Sequence, residues 1–323
     1  MSLIPVVQTK YASMDGTPAH SQPTCRLTIG VPTYNNATTI RRAVESLLAQ
    51  SFADFRLIIS DDGSTDGTPS ICQAYAEQDE RVVVVRQPAN LNYGNFRYVL
   101  NAAKTPLFMF AAGDDYWHQD YVQRMIAELD AHPDAVCAVS RVAFVDEADV
   151  IKLSEGTDPL TGSCVDNLVS YLEGPNDNSR MYGVFRTDVA QRAFPTKDFH
   201  AYDWAFGAGT LLEGTHIEVP DVLMWRSLTD PEKYTEYVRR DAKRTLTRVF
   251  PMLPLTADLL SRRRFPRSYR VLRQLFWLNM EYHISYLRRY HPRAASVSER
   301  VIRSVAKVTR RVQGPFGSAR KEV

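Results

Sequence analysis

Four short apolar runs, each followed by a segment with helical spacing, constrain the first 131 residues more than any other feature of the chain. The runs at 27–31, 55–60, 81–86 and 107–112 are too short for helices and rich in branched or bulky residues, and they read as buried strands. Between the first two, Ile40, Ala43, Val44, Leu47 and Leu48 recur on one helical face. Further helices are predicted over 69–78, 95–103 and 119–131. The first has Asp66 or Thr68 as its cap and a proline tolerated at its first position, and His132-Pro133 ends the last. Strand-helix alternation with apolar strands predicts an α/β fold with a Rossmann-like, mostly parallel sheet covered on both faces. Ligands of such sheets bind beyond the carboxyl ends of the strands.

The first, second and fourth strands end in polar clusters, so all three are predicted to share one rim. The clusters are Pro32-Thr33-Tyr34-Asn35-Asn36, Asp61-Asp62-Gly63-Ser64-Thr65-Asp66 and Gly113-Asp114-Asp115. Tyr34 offers an aromatic face for a base, and Asn36 or Thr38 can cap the following helix. A carboxylate at Asp61 or Asp62 can accept from a nucleobase or ribose, as acidic residues do in dinucleotide folds, while the same residue types also build tight turns. Two adjacent anions at Asp114 and Asp115 repel each other, and a divalent cation held by hard oxygen ligands would relieve that. The alternative is that Asp115 caps the next helix. No glycine-rich loop follows the first strand, which counts against a nicotinamide dehydrogenase. A metal is then the natural counter-charge for a diphosphate.

Beyond residue 131, strands are predicted over 135–144, 182–186, 216–219 and 222–226, with 146–179 polar and turn-rich apart from a helix near 165–172. From residue 235 onward the pattern turns helical and basic, with 21 Lys+Arg against 6 Asp+Glu, whereas residues 1–234 carry 18 against 31. The split predicts an acidic catalytic body and a basic tail that meets an anionic partner. Arginines interleaved with Phe265, Tyr269, Phe276, Trp277 and Tyr282 suit either an anionic membrane interface or a helical cap on the body. Nucleic acid is not expected, because the strand-end carboxylates would repel a phosphate backbone. No apolar stretch approaches the roughly 18 residues that span a bilayer. The first 24 residues are polar and read as a loose leader. Four widely spaced cysteines fit neither a zinc site nor a disulfide framework, and point to a reducing cytoplasm.

In order and spacing, Val31-Pro32-Thr33-Tyr34-Asn35-Asn36, Asp61-Asp62-Gly63-Ser64-Thr65-Asp66-Gly67-Thr68, Asn92-Tyr93-Gly94-Asn95 and Gly113-Asp114-Asp115 resemble the family 2 glycosyltransferases. The resemblance covers residues 26 to about 230. It implies the A-type glycosyltransferase fold, a nucleotide-sugar donor, a divalent cation (manganese or magnesium) and inversion at the anomeric carbon. Carried over by position, Pro32, Thr33 and Tyr34 line the nucleotide pocket with Asn92 and Gly113, and Asp62 contacts base or ribose with Asp61 close by. Asp114 matches the last acid of the Asp-x-Asp motif that holds metal and diphosphate, and Asp115 is a second candidate ligand. The motif's first acid falls at Ala112, a departure that removes the usual ribose contact and weakens the metal set. The family's catalytic base falls at Asp203 within Tyr202-Asp203-Trp204, with Tyr202 in place of the usual glutamate. Asp198 and His200 are alternatives, and a cap on the helix beginning at Trp204 is the structural option for Asp203.

The family's Arg-x-His reads Arg226-Ser227-Leu228 here, so the histidine ligand is missing and Arg226 is left as a diphosphate candidate or a salt-bridge partner. Arg180, Arg186 and Trp204 are candidate acceptor contacts. The expected organisation is a leader over 1–24, a catalytic domain over 25–234 (nucleotide half 25–131, acceptor half 132–234) and a basic helical region over 235–323. The expected activity is metal-dependent, inverting sugar transfer to a saccharide or lipid-linked saccharide in polysaccharide or glycolipid synthesis, peripheral on the inner face of the plasma membrane. A nucleotidyltransferase, which would release pyrophosphate, and a degenerate nucleotide-sugar-binding protein are the alternatives.

Overall fold

Leu27–Thr33 (β1) pairs in parallel with Phe55–Asp61 (β2) on one side and Leu107–Phe110 (β4) on the other. In this computed structural model, which describes residues 25–146, 149–173, 177–228 and 249–291 with Thr247, Arg293, Ala295 and Ser298, that trio begins a nine-stranded mixed sheet. Its order is β3-β2-β1-β4-β8-β6-β9-β5, with β7 paired to β6. The other strands are Val82–Arg86 (β3), Tyr116–Trp117 (β5), Ala135–Asp146 (β6), Asp149–Leu153 (β7), Val184–Arg186 (β8) and Thr215–Ser227 (β9). β5, β7 and β8 pair antiparallel with their neighbours, and the rest are parallel. Helices Ile40–Leu48 (α1), Thr68–Gln78 (α2), Tyr93–Ala102 (α3), Tyr121–Ala131 (α4), Cys164–Glu173 (α5), Thr187–Ala193 (α6) and Tyr202–Thr210 (α7) complete the body.

The period of two along each strand sends alternate side chains to opposite faces. Leu27, Ile29, Val31, Leu57, Ile59, Leu107 and Met109 enter one core with Ile40, Val44 and Leu47 of α1 and Met125 of α4. Ile58, Phe108, Phe110 and Phe185 enter the other, with Val99 and Leu100 of α3 and Phe206 of α7. Both faces are covered, as the uninterrupted apolar runs predicted. Each such side chain contributes roughly 1.5–3 kcal/mol when fully buried. Gly30 is required on the second face, because a Cβ there would lie 2.8 Å from Cγ2 of Val99.

Several elements differ from the sequence expectation. Residues 216–219 and 222–226 belong to one strand, β9. Val219 pairs with Ser140 and Val222 with Arg141, so Pro220 and Asp221 bulge out of the ladder and the proline's missing N–H costs no bond. The segment after Asp115 is not yet helix: Tyr116–Trp117 pairs with β9, and α4 begins only at Tyr121. Capping of that helix by Asp115 is thereby excluded. β7 lies in the stretch read as polar turns; paired to β6 alone, it leaves Val150, Ile151 and Leu153 exposed.

Contacts divide the chain into two compact units, one of residues up to 198 plus 202–229, the other of 199–201 plus 230–323. Within the second, Leu253–Ser261 (α8) and Tyr269–Tyr290 (α9) are joined by Asn279 Nδ2 donating to Thr256 Oγ1 at 2.8 Å. Ser268 caps α9 by accepting from Val271 N. The leader expected over 1–24, and 235–246 and 299–323 of the basic region, lie outside the described residues.

Gly30→Ala is expected to destabilise the protein by about 1–3 kcal/mol, since α3 must shift off the sheet to admit a methyl group. Chemical denaturation of the variant checks this, and wild-type stability would refute the close approach.

Candidate active site

Register brings Thr33, Asp61 and Arg86 side by side at the carboxyl ends of β1, β2 and β3. The loops that follow β1 and β2 are laced by side chains that close on backbone N–H groups. Asn35 N donates to Ser64 Oγ (2.8 Å), Asn36 N to Thr68 Oγ1 (2.8 Å) and Ala37 N to Asp66, while Thr65 N donates to Asn35 Oδ1. The Asn and Asp-Gly-Ser-Thr clusters are therefore each other's hydrogen-bond partners. Asn35 holds a left-handed backbone (φ 53°), which asparagine tolerates better than most residues. This lacing presents Tyr34, 46% exposed, on the rim.

Asp62 is buried, and its carboxylate accepts the N–H groups of Leu91 (2.7 Å) and Asn92 (3.0 Å). Burial pushes its pKa up from the ordinary value and the two amides pull it back. Asn92, also at a positive φ of 52°, thus meets Asp62 through its backbone. Asp61 accepts from Ser64 N, with Arg86 Nε 3.7 Å from its Oδ2. Gly113 lets the loop after β4 close against this frame, because a Cβ there would sit 2.9 Å from Thr33 Oγ1 and 3.1 Å from Asn36 Oδ1.

The two acids after Gly113 part company. β5 pairs with the end of β9 and sets Ser227 against both: Ser227 N donates to Asp115 Oδ1 (3.0 Å), and Ser227 Oγ donates to the Asp114 carbonyl (2.7 Å). Asp115 is 3% exposed, and its Oδ2 lies 3.4 Å from Arg226 Nε. Burial pushes the Asp115 carboxyl up to about 7, with Arg226 opposing and Asp114 adding to the rise. Asp115 is therefore an internal partner of Arg226 and not an open metal ligand, a correction to the expectation above. Arg226 is corrected with it. Its guanidinium lies over Tyr182 (4.8 Å) and Phe144 (5.3 Å) and donates to the Asp177 carbonyl and Ser179 Oγ, so it does not face outward toward a diphosphate. Asp114, half-buried, receives its bonds through its carbonyl.

The turn that Arg226 grips leads to the other candidate acid. Asn178, between Asp177 and Ser179, donates from Nδ2 to Asp203 Oδ2 at 3.3 Å. Asp203 stands in the first turn of α7. Tyr202, where the family has a glutamate, packs against Tyr93 (4.5 Å) and Phe96 (5.6 Å). Asp198 is paired with Arg97. Neither Asn178 nor Ser227 carried a sequence signal: one sits in a polar turn, the other in the place of an expected spacer.

Three acceptor candidates are displaced by burial or topology. Arg186 ends β8 beside Leu107, at the amino end of β4 and so at the opposite end of the strands from the rim, and it donates to the carbonyls of Ala135 and Leu129. Trp204 is 6% exposed, because α7 is apolar on nearly every side. Arg180 is 3% exposed, donating to His216 Nδ1 (3.2 Å) and the Asp158 carbonyl (2.8 Å). Since arginine only donates, His216 carries its proton on Nε2 and gives it to Thr210 Oγ1 (3.0 Å), whose hydroxyl donates to the Gly207 carbonyl. Arg180 also lines a cavity of 410 Å³ with Glu155, Asp158 and Tyr171.

Comparison with known sequences decides the family: the glycosyl transferase family 2 pattern matches residues 28–194. This chain belongs to glycosyl transferase family 2. The match takes in β1 to the end of α6, and so contains the rim acids but stops short of Asp203. Among similar proteins, putative glycosyltransferase EpsH of Bacillus subtilis is 33% identical over 117 residues, 36% of this chain and 34% of EpsH. Putative teichuronic acid biosynthesis glycosyltransferase TuaG of the same organism is 34% identical over 114 residues, 35% of this chain and 44% of TuaG. The alignments thus span less than half of these relatives. In solved structures the same fold appears in S. aureus TarS 1–349 (TM-score 0.60, 18% identity, 80% of this chain and 73% of that one). It appears also in the mannosyltransferase PcManGT of Pyrobaculum calidifontis with GDP-Man and Mn2+ (TM-score 0.56, 18% identity, 88% and 80%). The A-type glycosyltransferase architecture expected of the family is the one observed.

Two stability measurements test this internal framework of the family 2 domain. Burial, then the Arg180 charge, hold His216 well below its ordinary pKa, so the folded state keeps it neutral. Its contribution is complete above about pH 6.5 and is lost as pH falls below that value, where the unfolded state takes the proton. His216→Gln is expected to flatten the fall in Tm between about pH 7.5 and 5. Arg226→Met is expected to cost about 3–5 kcal/mol where Asp115 is ionised, and the added change Asp115→Asn to restore part of it. Additive losses in that double variant would rule the pair out.

Proposed function

We propose that this chain moves a sugar from a nucleotide-diphosphate sugar to an acceptor hydroxyl by a single displacement with inversion. The observation that carries the reading is the linkage of two acidic residues, Asp114 by its backbone carbonyl and Asp203 by its carboxylate, to one scaffold through Ser227, Arg226 and the 177–179 turn. Thr33, Tyr34, Asp62, Asn92 and Gly113 frame the donor pocket beside Asp114. Pro32 and Asp61 hold that frame from behind. Asp203 takes the proton of the acceptor hydroxyl as it attacks the anomeric carbon, and the nucleoside diphosphate leaves from the opposite face. Alignment of donor and acceptor supplies much of the remaining rate gain.

Among the described residues no group of three or more His, Cys, Asp and Glu is arranged to hold a metal. Asp114 alone suits a magnesium- or manganese-like cation that arrives with the donor and completes its shell with phosphate and water. Bound there, such a cation offsets charge on the departing diphosphate. Cation binding is therefore expected to need the nucleotide. Asp114→Asn should weaken donor binding in the presence of manganese and leave metal-free stability unchanged.

Kinship to TuaG, named for teichuronic acid biosynthesis, supports a role in cell-surface polysaccharide or glycolipid synthesis, with a saccharide or lipid-linked saccharide as acceptor. Among the described residues no helix is long and apolar enough to cross a membrane. Tyr269, Leu272 and Phe276 of α9 are exposed along one helical face beside Arg270 and Arg273, which supports contact with an anionic membrane surface on the cytoplasmic side.

A thermal-shift panel of nucleotide sugars, including UDP-GlcNAc and GDP-Man, with and without manganese, identifies the donor by its stabilisation of the native state. With that donor, Asp203→Asn is expected to cut transfer about 100-fold or more while the thermal shift persists. Near wild-type transfer would remove Asp203 from the role. Leu272→Ser with Phe276→Ser should release the protein from vesicles containing phosphatidylglycerol; unchanged sedimentation would discard the membrane contact.

A further inference from the structure

Asn178 is 2% exposed, left-handed at φ 49°, and bonded at both ends of its side-chain amide. Its Oδ1 accepts from the Tyr171 hydroxyl at 2.9 Å, and its Nδ2 donates to Asp203 Oδ2 at 3.3 Å. The polarity of this relay is fixed by its ends. A carboxylate accepts only, so the NH2 group must face Asp203, and the carbonyl end must then take the phenol proton. Reversing the amide would set Oδ1 against an anion.

Space for the relay is built into α7. Gly207 lies one turn beyond Asp203 on the same helical face, and a Cβ there would stand 2.3 Å from the Tyr171 hydroxyl oxygen. A glycine inside a helix costs about 0.5–1 kcal/mol relative to alanine, so its presence has a counterpart in what it admits. The backbone of the turn is held separately. Asp177 Oδ1 accepts from Ser154 Oγ and Ser179 N, and Arg226 Nη1 donates to the Asp177 carbonyl.

We propose that Tyr171 and Asn178 are positioning residues for Asp203: the phenol orients the amide, and the amide turns one oxygen of the base away from rotation and stabilises its charged form. This rests on the reading of Asp203 as the base. Among the described residues, the titratable groups that feel the Asp203 charge include the phenols of Tyr171, Tyr182 and Tyr202, all raised by burial and so protonated through the neutral range. Asp198, beyond Tyr202, is neutralised by Arg97. A donor lost from a carboxylate raises its pKa, so the relay is readable as a movement of the acid limb of the pH profile.

The test uses the full chain with the donor found by the thermal-shift panel, following release of nucleoside diphosphate. Asn178→Gly keeps the left-handed backbone and deletes only the amide. It is expected to lower kcat about tenfold or more with donor KM unchanged, and to move the acid limb of kcat/KM up by roughly one pH unit. Asn178→Asp faces the base with a second carboxylate and should move the limb further. Tyr171→Phe should move it less, in the same direction. If Asn178→Gly fails to fold, the other two variants carry the measurement. An acid limb that stays in place in variants with cooperative thermal melts overturns the relay. Activity retained in Asp203→Asn overturns the base itself, so the two failures are told apart.

Discussion

The buried contact between Arg226 and Asp115 is the constraint on which the rest of the site depends. A carboxylate 3% exposed and a guanidinium over two aromatic rings are tolerable together and costly apart. Because Asp115 follows β4 and Arg226 ends β9, the pair ties the turn after β4 to a strand more than a hundred residues later. Ser227 adds two hydrogen bonds to the same turn, one to each acid. Arg226 then reaches the turn at 177–179, and through Asn178 the ties extend to Asp203. The consequence is division of labour between adjacent acids. Asp115 supplies the anchor, and Asp114 is left half-buried on the rim.

A second set of ties fixes the rim at the carboxyl ends of β1 and β2. The polar loops after β1 and β2 satisfy one another's backbone groups, which is how two turn-rich segments hold a rim without an apolar core beneath them. Three asparagines, at positions 35, 92 and 178, hold positive φ angles, the first two in loops of this rim and the third in the 177–179 turn. In each case the unusual geometry places an amide where a neighbouring acid, loop or hydroxyl needs it. Such strain is of order 1–3 kcal/mol per residue in less tolerant residue types, and asparagine is the side chain that lessens it.

The first half of the fold was legible in the sequence because its signals are local. Apolar runs of four to seven residues bounded by turn residues gave β1 to β4. Apolar spacing gave α1, and the motif order gave the rim of Thr33, Asp61, Asp62 and Asp114. The second half was harder to read. β9 was split at Pro220 because a bulge, which only the pairing with β6 reveals, absorbs the proline. β5 was not anticipated because two residues of strand carry no pattern of their own. Arg180, Arg186 and Arg226 were placed near ligands because their positions match ligand-facing regions of the family, and the structure gives all three to carbonyls, a histidine and Asp115.

By itself, then, the sequence determined the alternating architecture, the strand-end carboxylates and the family they signal, since these rest on periodicity and on residue order. Only the tertiary structure decided which of the two adjacent acids is buried, how Asp203 is held, and that Asn178 and Ser227 are bonded to these acids. The physical reason is separation along the chain. Asp115 and Ser227 are 112 residues apart, and Asn178 and Asp203 are 25 apart. A contact of that span leaves no trace in spacing, and the burial that raises or neutralises a charge exists only once both partners have been folded against each other.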